Sequence, residues 1–342
     1  MTYDFDQLFP TINTIKATGT IRQVPNDFKV TEINSTELSG TGEHLWVYIK
    51  KINTNTDWVA KNLSNVCQVP RRQVGFAGLK DRHAITKQWF SIQLPKVSDV
   101  EIINKALPEE FQIIESKFHN RKIRTGQLDA NQFEILIKDI DGDKQHIEKN
   151  IQLILNDGVP NYFGPQRFGN EMGNIQKVQD WFSGRCKINS RNLKSLLIST
   201  ARSHIFNLIV AKRIEDNQWK KTMRGDIFQL NKSRSWFHMS EATPEELSKR
   251  LKEFDIHITA AMYGEDAIQS TKECADLEIN IAKQYPIYIN GFEKFRIKQD
   301  RRAIRIHPID FKYAWQNNHL LLNFKLLPGA YATGIIREIL TV

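Results

Sequence analysis

Cysteine is scarce in this sequence: only Cys67, Cys186 and Cys274 occur in 342 residues, far apart, with no CxxC and no neighbouring histidine pair. That spacing offers neither a disulfide framework nor a structural zinc site, and it fits a reducing cytosol. Long apolar runs are missing as well. No stretch approaches the roughly 18 apolar residues of a membrane-spanning helix, so a transmembrane role is not expected. The first residues, Met1 to Asp6, carry no basic segment followed by an apolar run and do not read as a secretory leader. No GxGxxG follows a strand pattern, and Walker loop, HExxH and HxE…PCxxC constellations are all absent. Gly40-Thr41-Gly42 is too short for a phosphate cradle. Any chemistry must then come from ordinary side chains, with no metal and no cofactor.

What the sequence does contain is an ordinary globular balance, 40% hydrophobic and 25% charged residues, in a chain longer than one compact core usually requires. Two domains, or one domain carrying a large insertion, are expected. Lys and Arg outnumber Asp and Glu by 48 to 39, a formal net charge of +9. Such a surface suits a polyanion, because each neutralised phosphate releases counterions. By itself the same charge also describes a merely soluble basic protein.

The hydrophobic pattern divides the chain. From Thr18 to Gln93 it is β-rich, with strands expected in 19–32 and 45–50 and one helix. Thr56 is expected to cap that helix, with Trp58, Val59, Leu63 and Val66 on its apolar face and Pro70 beyond its end. Residues 74–83 read as a strand entering an exposed turn, 132–138 as a further strand, and 146–156 as a helix stopped by Gly158 and Pro160. Between about 174 and 285 the pattern becomes helical. A long helix is expected from Arg191 to Glu215, with Leu193, Leu196, Leu197, Ile205, Leu208 and Ile209 inward and Arg191, Lys194, Arg202, Lys212 and Arg213 outward. Thr243-Pro244-Glu245-Glu246 marks another helix start. Strands return in 303–306 and 319–326, and Pro328-Gly329 leads into a last helix. No internal repeat or low-complexity tract is visible.

Several separated segments carry more specific information. They are Pro25-Asn26-Asp27-Phe28-Lys29-Val30-Thr31-Glu32, Gly75-Phe76-Ala77-Gly78-Leu79-Lys80-Asp81-Arg82-His83-Ala84-Ile85-Thr86, Asn131-Gln132-Phe133, Asn161-Tyr162-Phe163-Gly164-Pro165-Gln166-Arg167-Phe168-Gly169 and Leu327-Pro328-Gly329-Ala330-Tyr331-Ala332-Thr333. In content and order they resemble the TruD family of tRNA pseudouridine synthases, over nearly the whole chain. The resemblance implies an α+β fold: a pseudouridine synthase catalytic domain built on an antiparallel sheet, residues 1–160 and 305–342, interrupted by an inserted α/β TRUD domain, residues 161–304. It further implies an isomerase that converts uridine 13 of the tRNA D arm to pseudouridine, without metal or cofactor. The implied partner is tRNA; no membrane association is expected, and a monomer is preferred.

Asp81 matches the family's catalytic aspartate in Gly-x-Lys-Asp, and a carboxylate nucleophile can hold part of the nucleoside while the base is detached and turned. Without the other segments, Gly78-Leu79-Lys80-Asp81 reads as a turn with a solvated acid. Arg22 stands where the family commonly has lysine, a change that keeps charge but replaces a compact ammonium with a planar fork; an edge-strand surface arginine is the alternative. Phe28, Asn131 and Tyr331 match substrate-site positions, Tyr331 where phenylalanine is common, and an extruded uracil needs a ring to stack on and an amide for its edge. Phe133 is either part of that site or core. Gln166 and Arg167 are expected to shape the cleft, and His83 to contact RNA or belong to the loop. The competing functions are a non-catalytic RNA-binding relative, against which the intact Asp81 motif counts, and an RNA methyltransferase, disfavoured by the missing glycine-rich loop.

If phosphates supply most of the affinity, log K for tRNA falls by about 0.7 to 0.9 per phosphate contact for each unit of log salt. A filter-binding series across salt concentrations measures this slope, and a flat response contradicts a basic RNA platform.

Overall fold

The computed structural model describes residues 4–94, 100–233 and 235–342; Met1–Tyr3, part of the segment read for a leader, lie outside them. The chain packs into two compact units. One comprises residues 16–144, 308–329 and 340–342, the other residues 1–15, 145–307 and 330–339.

The first unit is built on a nine-stranded sheet. Its strands are β1 (Thr18–Thr20), β2 (Phe28–Ile33), β3 (His44–Ile52), β4 (Val74–Phe76), β5 (Ile85–Gln93), β6 (Phe111–His119) and β7 (Ala130–Asp141), followed by Ile309–Gln316 and His319–Leu326. The spatial order runs Ile309–Gln316, His319–Leu326, β7, β2, β5, β3, β6, with β1 beside β7 and β4 beside β5. All pairings are antiparallel except β2 with β5, which run parallel. The expected antiparallel sheet therefore has one parallel step, between β2 and β5, the strand that follows the Asp81 loop. The period-2 pattern sends Leu45, Val47 and Ile49 of β3 and Phe90 and Ile92 of β5 to one face, where they bury Val59, Ala60 and Leu63 of the helix Thr56–Val66.

Two expectations about that helix are corrected. Thr56 is its first residue and Asn55 its N-cap. The Thr56 hydroxyl instead donates to Gln88 Oε1 at 3.0 Å and accepts the Lys80 N–H at 3.0 Å. Trp58 faces solvent, 49% exposed, with the Lys61 ammonium 5.7 Å from its ring. The continuous strand expected over 19–32 is broken, because the chain turns between β1 and β2 through the 3-10 turn Pro25–Asp27.

The second unit is organised by the helix Arg191–Glu215, whose N-cap Ser190 accepts from the Leu193 N–H. Leu197, Ile205 and Ile209 face the core as expected, whereas Leu196 is 37% exposed. A four-stranded antiparallel sheet, ordered Trp236–His238, Ile227–Leu230, Ile256–Met262, Asp300–Ala303, packs in the same unit. The strand expected over 303–306 is split: Arg305–Ile306 leaves that sheet to pair with Val159–Pro160. Gly158 ends the preceding helix at φ +74, and a Cβ there would lie 2.4 Å from the Ile306 carbonyl oxygen. Thr243 caps its helix by accepting the Glu246 N–H.

Two arginines expected on the outer face of Arg191–Glu215 point inward. Arg202 donates to the Met262, Tyr263 and Lys298 carbonyls. Arg213, 1% exposed, makes a bidentate pair with buried Asp226 at 2.7 and 3.0 Å. Helical periodicity assigns a position to a face, but a fork that meets a carboxylate and a carbonyl is tolerated inside. Among the described residues no helix is long and apolar enough to cross a membrane.

The Arg213–Asp226 pair generates a stability test. Arg213→Met leaves Asp226 buried without its counter-charge and is expected to cost about 3–5 kcal/mol in urea unfolding, while Arg213→Met combined with Asp226→Leu costs less than the single change. Equal or greater loss in the double variant contradicts the pairing account.

Candidate active site

Asp81 stands on the irregular stretch between β4 and β5, and side chains from several elements hold that stretch in place. The Gly78 carbonyl accepts from Gln88 Nε2 of β5 at 3.1 Å, and Gln88 is itself fixed by Thr56. The Ala77 carbonyl accepts the Gly126 N–H at 2.7 Å. Lys80 turns inward to Glu32 of β2 at 3.0 Å, the two side chains being 4% and 0% exposed. Burial pushes the Glu32 carboxyl above its usual range, and the Lys80 ammonium works against that rise. Lys51, at the end of β3, donates from Nζ to the Asp81 carbonyl at 2.8 Å and to the Thr54 carbonyl at 2.7 Å. With Lys80 drawn in, its neighbours point the other way: Leu79 is 71% exposed and the Asp81 side chain 43%.

Arg22 meets the Asp81 carboxylate with an Nη2–Oδ1 distance of 2.9 Å. It lies in the turn between β1 and β2 at φ +58, the left-handed region that costs a side chain roughly 1–2 kcal/mol. The turn is tied down on both sides of that residue. Lys138 pairs with buried Asp27 at 2.7 Å, Asp27 accepts the Val24 N–H, and Gln23 donates to Asp139. These contacts over-determine the turn and aim the guanidinium at Asp81. The same guanidinium lies over the Phe28 ring, 4.0 Å from its centroid. Arg22 is thus no free edge-strand arginine, and the planar fork that replaces an ammonium here serves two contacts at once.

Phe28 is 1% exposed and begins an aromatic row: edge-on to Phe133 at 6.3 Å, Phe133 stacked on Phe324 at 5.5 Å, and Phe324 on Phe311 at 5.4 Å. Phe133 is 6% exposed. Asn131, two residues before it on β7 and opposite Glu32 of β2, keeps a side-chain oxygen that is sealed from solvent and accepts no hydrogen bond from the described residues. A buried acceptor without a donor is costly. His83 is exposed and hydrogen-bonded to Asn53 at 3.1 Å.

The fold thus brings Arg22, Phe28, Asp81, Asn131 and Phe133 into one unit. Tyr331 belongs to the other. There its hydroxyl accepts from Arg167 Nη2 at 3.1 Å, a contact phenylalanine cannot make, and Arg167 Nη1 donates to Ser199. Its ring lies 6.3 Å from that of Phe163. Sequence reasoning missed Lys51, Gln88 and the Glu32–Lys80 pair. The signal for Lys51 was present: it continues the inward series Leu45, Val47, Ile49 as a charge on the apolar face.

The sequence profile of the family tRNA pseudouridine synthase D (TruD) matches residues 9–185 and 175–339. A tRNA pseudouridine synthase D from Hydrogenovibrio crunogenus is 39% identical over 326 residues, 95% of this chain and 93% of that protein. One from Aeromonas hydrophila is 37% identical, covering 95% and 91%. A crystal structure from Methanosarcina mazei assigned to tRNA pseudouridine synthase D superposes with a TM-score of 0.73 over 98% of this chain and 97% of that one, at 21% identity, and so shares its fold. The chain is therefore a member of the TruD family of pseudouridine synthases, with the pseudouridine synthase fold that its scattered motifs led one to expect.

Proposed function

We propose that this chain isomerises uridine 13 in the D arm of tRNA to pseudouridine in the cytosol, as a monomer, with Asp81 as the nucleophile. The observation that carries the proposal is the placement of one carboxylate on a rigidly held loop, paired with Arg22 beside a buried aromatic ring. The guanidinium holds the carboxylate in one orientation before substrate enters, and a carboxylate oxygen so placed can act as a nucleophile. The carboxylate bonds covalently to the nucleoside, the N1–C1′ bond breaks, the base turns, C5 bonds to C1′, and the bond to the carboxylate breaks to return Asp81 to its starting form. The hydrogen on C5 leaves as a proton and N1 gains one, so composition is unchanged and neither oxidant nor cofactor enters.

The neighbours fit an extruded base. Phe28 supplies a stacking face, Asn131 an acceptor for the uracil edge, and Phe133 fixes the tilt of Phe28 from behind. Tyr331 is proposed as a further base contact, its ring oriented by Arg167. Residues 1–160 with 305–342 are proposed as the catalytic domain and 161–304 as the inserted TRUD domain. This division follows the family likeness, whereas the packing units follow contacts and change over at 15/16, 144/145, 307/308, 329/330 and 339/340.

Tritium at C5 of uridine reports each turnover, because pseudouridine formation expels it to water. Wild-type protein is expected to release it from tRNA with nothing added. Asp81→Asn keeps size and polarity but removes the charge and the nucleophilic oxygen. It is expected to bind tRNA within about a few fold of wild type, since affinity is spread over many phosphates, and to release none. Release by the variant at close to the wild-type rate removes Asp81 from the mechanism.

A further inference from the structure

Lys51 sits where a charge is costly. It has no exposed surface, and its sheet neighbours Thr86 of β5 and Phe111 of β6 are uncharged. Its ammonium is satisfied by two main-chain carbonyls, of Thr54 and Asp81. A neutral amide could bridge the same two carbonyls without burying a charge, so hydrogen bonding alone does not account for a lysine here. The charged groups around it are few. On the loop, Asp81 favours its charge and Lys80 opposes it. Lys80 is paired with Glu32 from β2, Arg22 from the β1–β2 turn is paired with Asp81, and His83 is hydrogen-bonded to Asn53 beside Thr54.

The two cations near the nucleophile differ in what substrate does to them. Arg22 is 27% exposed and covers the face of Phe28, where a flat base would stack. A uracil entering there displaces the guanidinium from the ring. Lys51, enclosed beneath the loop, is out of reach of such displacement.

We propose that Lys51 is a positioning residue for the nucleophile: it fixes the main chain at Asp81 and keeps a cation beneath the carboxylate after substrate has moved Arg22 and excluded water. This rests on Asp81 being the nucleophile. Burial holds the Lys51 ammonium down to about 8, within reach of an activity profile. Above that pH the amine loses its charge while still donating to both carbonyls, so position is kept and the cation is lost.

Tritium release from tRNA by the full chain is measured across pH for wild type, Lys51→Met, Lys51→Arg and Asp81→Asn. Lys51→Met is expected to lower kcat about 100-fold with KM for tRNA changed less than about twofold, the scale of loss when a reacting group is misplaced. Wild-type kcat declines above the Lys51 titration, and the decline moves to higher pH in Lys51→Arg. Should Lys51→Met fail to fold, the titration of the Lys51 side chain by NMR decides: Asp81→Asn removes the neighbouring negative charge and is expected to shift it downward. A wild-type kcat in folded Lys51→Met, an unmoved decline in Lys51→Arg, or a Lys51 titration indifferent to Asp81→Asn each overturns the proposal. Full activity of Asp81→Asn instead overturns the Asp81 reading on which it rests.

Discussion

The ion pair between Arg22 and Asp81 is the contact on which the remaining geometry converges. Neither residue lies in a regular element, so neither position is set by helix or sheet geometry. Each is held by what its segment is tied to: the Arg22 turn by Lys138–Asp27 and Gln23–Asp139, the Asp81 loop by Gln88, Lys80–Glu32 and Lys51. Two irregular segments are thereby tied down, which the proposed role of Asp81 as nucleophile requires. The parallel step between β2 and β5 belongs to the same design, because Glu32 and Gln88, which fix the loop, come from those two strands.

The polar groups behind the loop carry a stability cost that the rest of the sheet unit must offset. Lys51, Lys80 and Glu32 are all buried, and Arg22 occupies a left-handed backbone. An apolar replacement for the Glu32–Lys80 pair would in general be as stable or more so. Their presence beside Asp81 is better explained by positioning than by stability, in keeping with the tendency of strain and buried charge to collect at functional sites. The Asn131 side-chain oxygen, buried with no donor among the described residues, fits the same pattern.

Much of this was legible in the sequence. Residues separated by alternation or helical period, such as β3 and the helix Arg191–Glu215, fall where the pattern puts them. Asp81 and Arg22 are marked in the sequence by short motifs alone, since no periodicity picks out a residue in a loop. What periodicity cannot register is a polar side chain whose partner is distant along the chain. Arg213 reads as surface until Asp226 is beside it, and Thr56 reads as a cap until Gln88 and Lys80 claim its hydroxyl. Arg22 likewise gives no sign in sequence of its backbone conformation or of the ring beneath it.

The central claim is that a single carboxylate in this fold serves one uridine of tRNA, and position-resolved mapping of pseudouridine in cellular tRNA tests it most directly. In cells lacking the protein, position 13 of the tRNA D arm should remain uridine while pseudouridine elsewhere in tRNA is unaffected. Wild-type protein supplied in trans should restore the modification, and Asp81→Ala should not. Pseudouridine persisting at position 13 without the protein, or restored by the alanine variant, would contradict it.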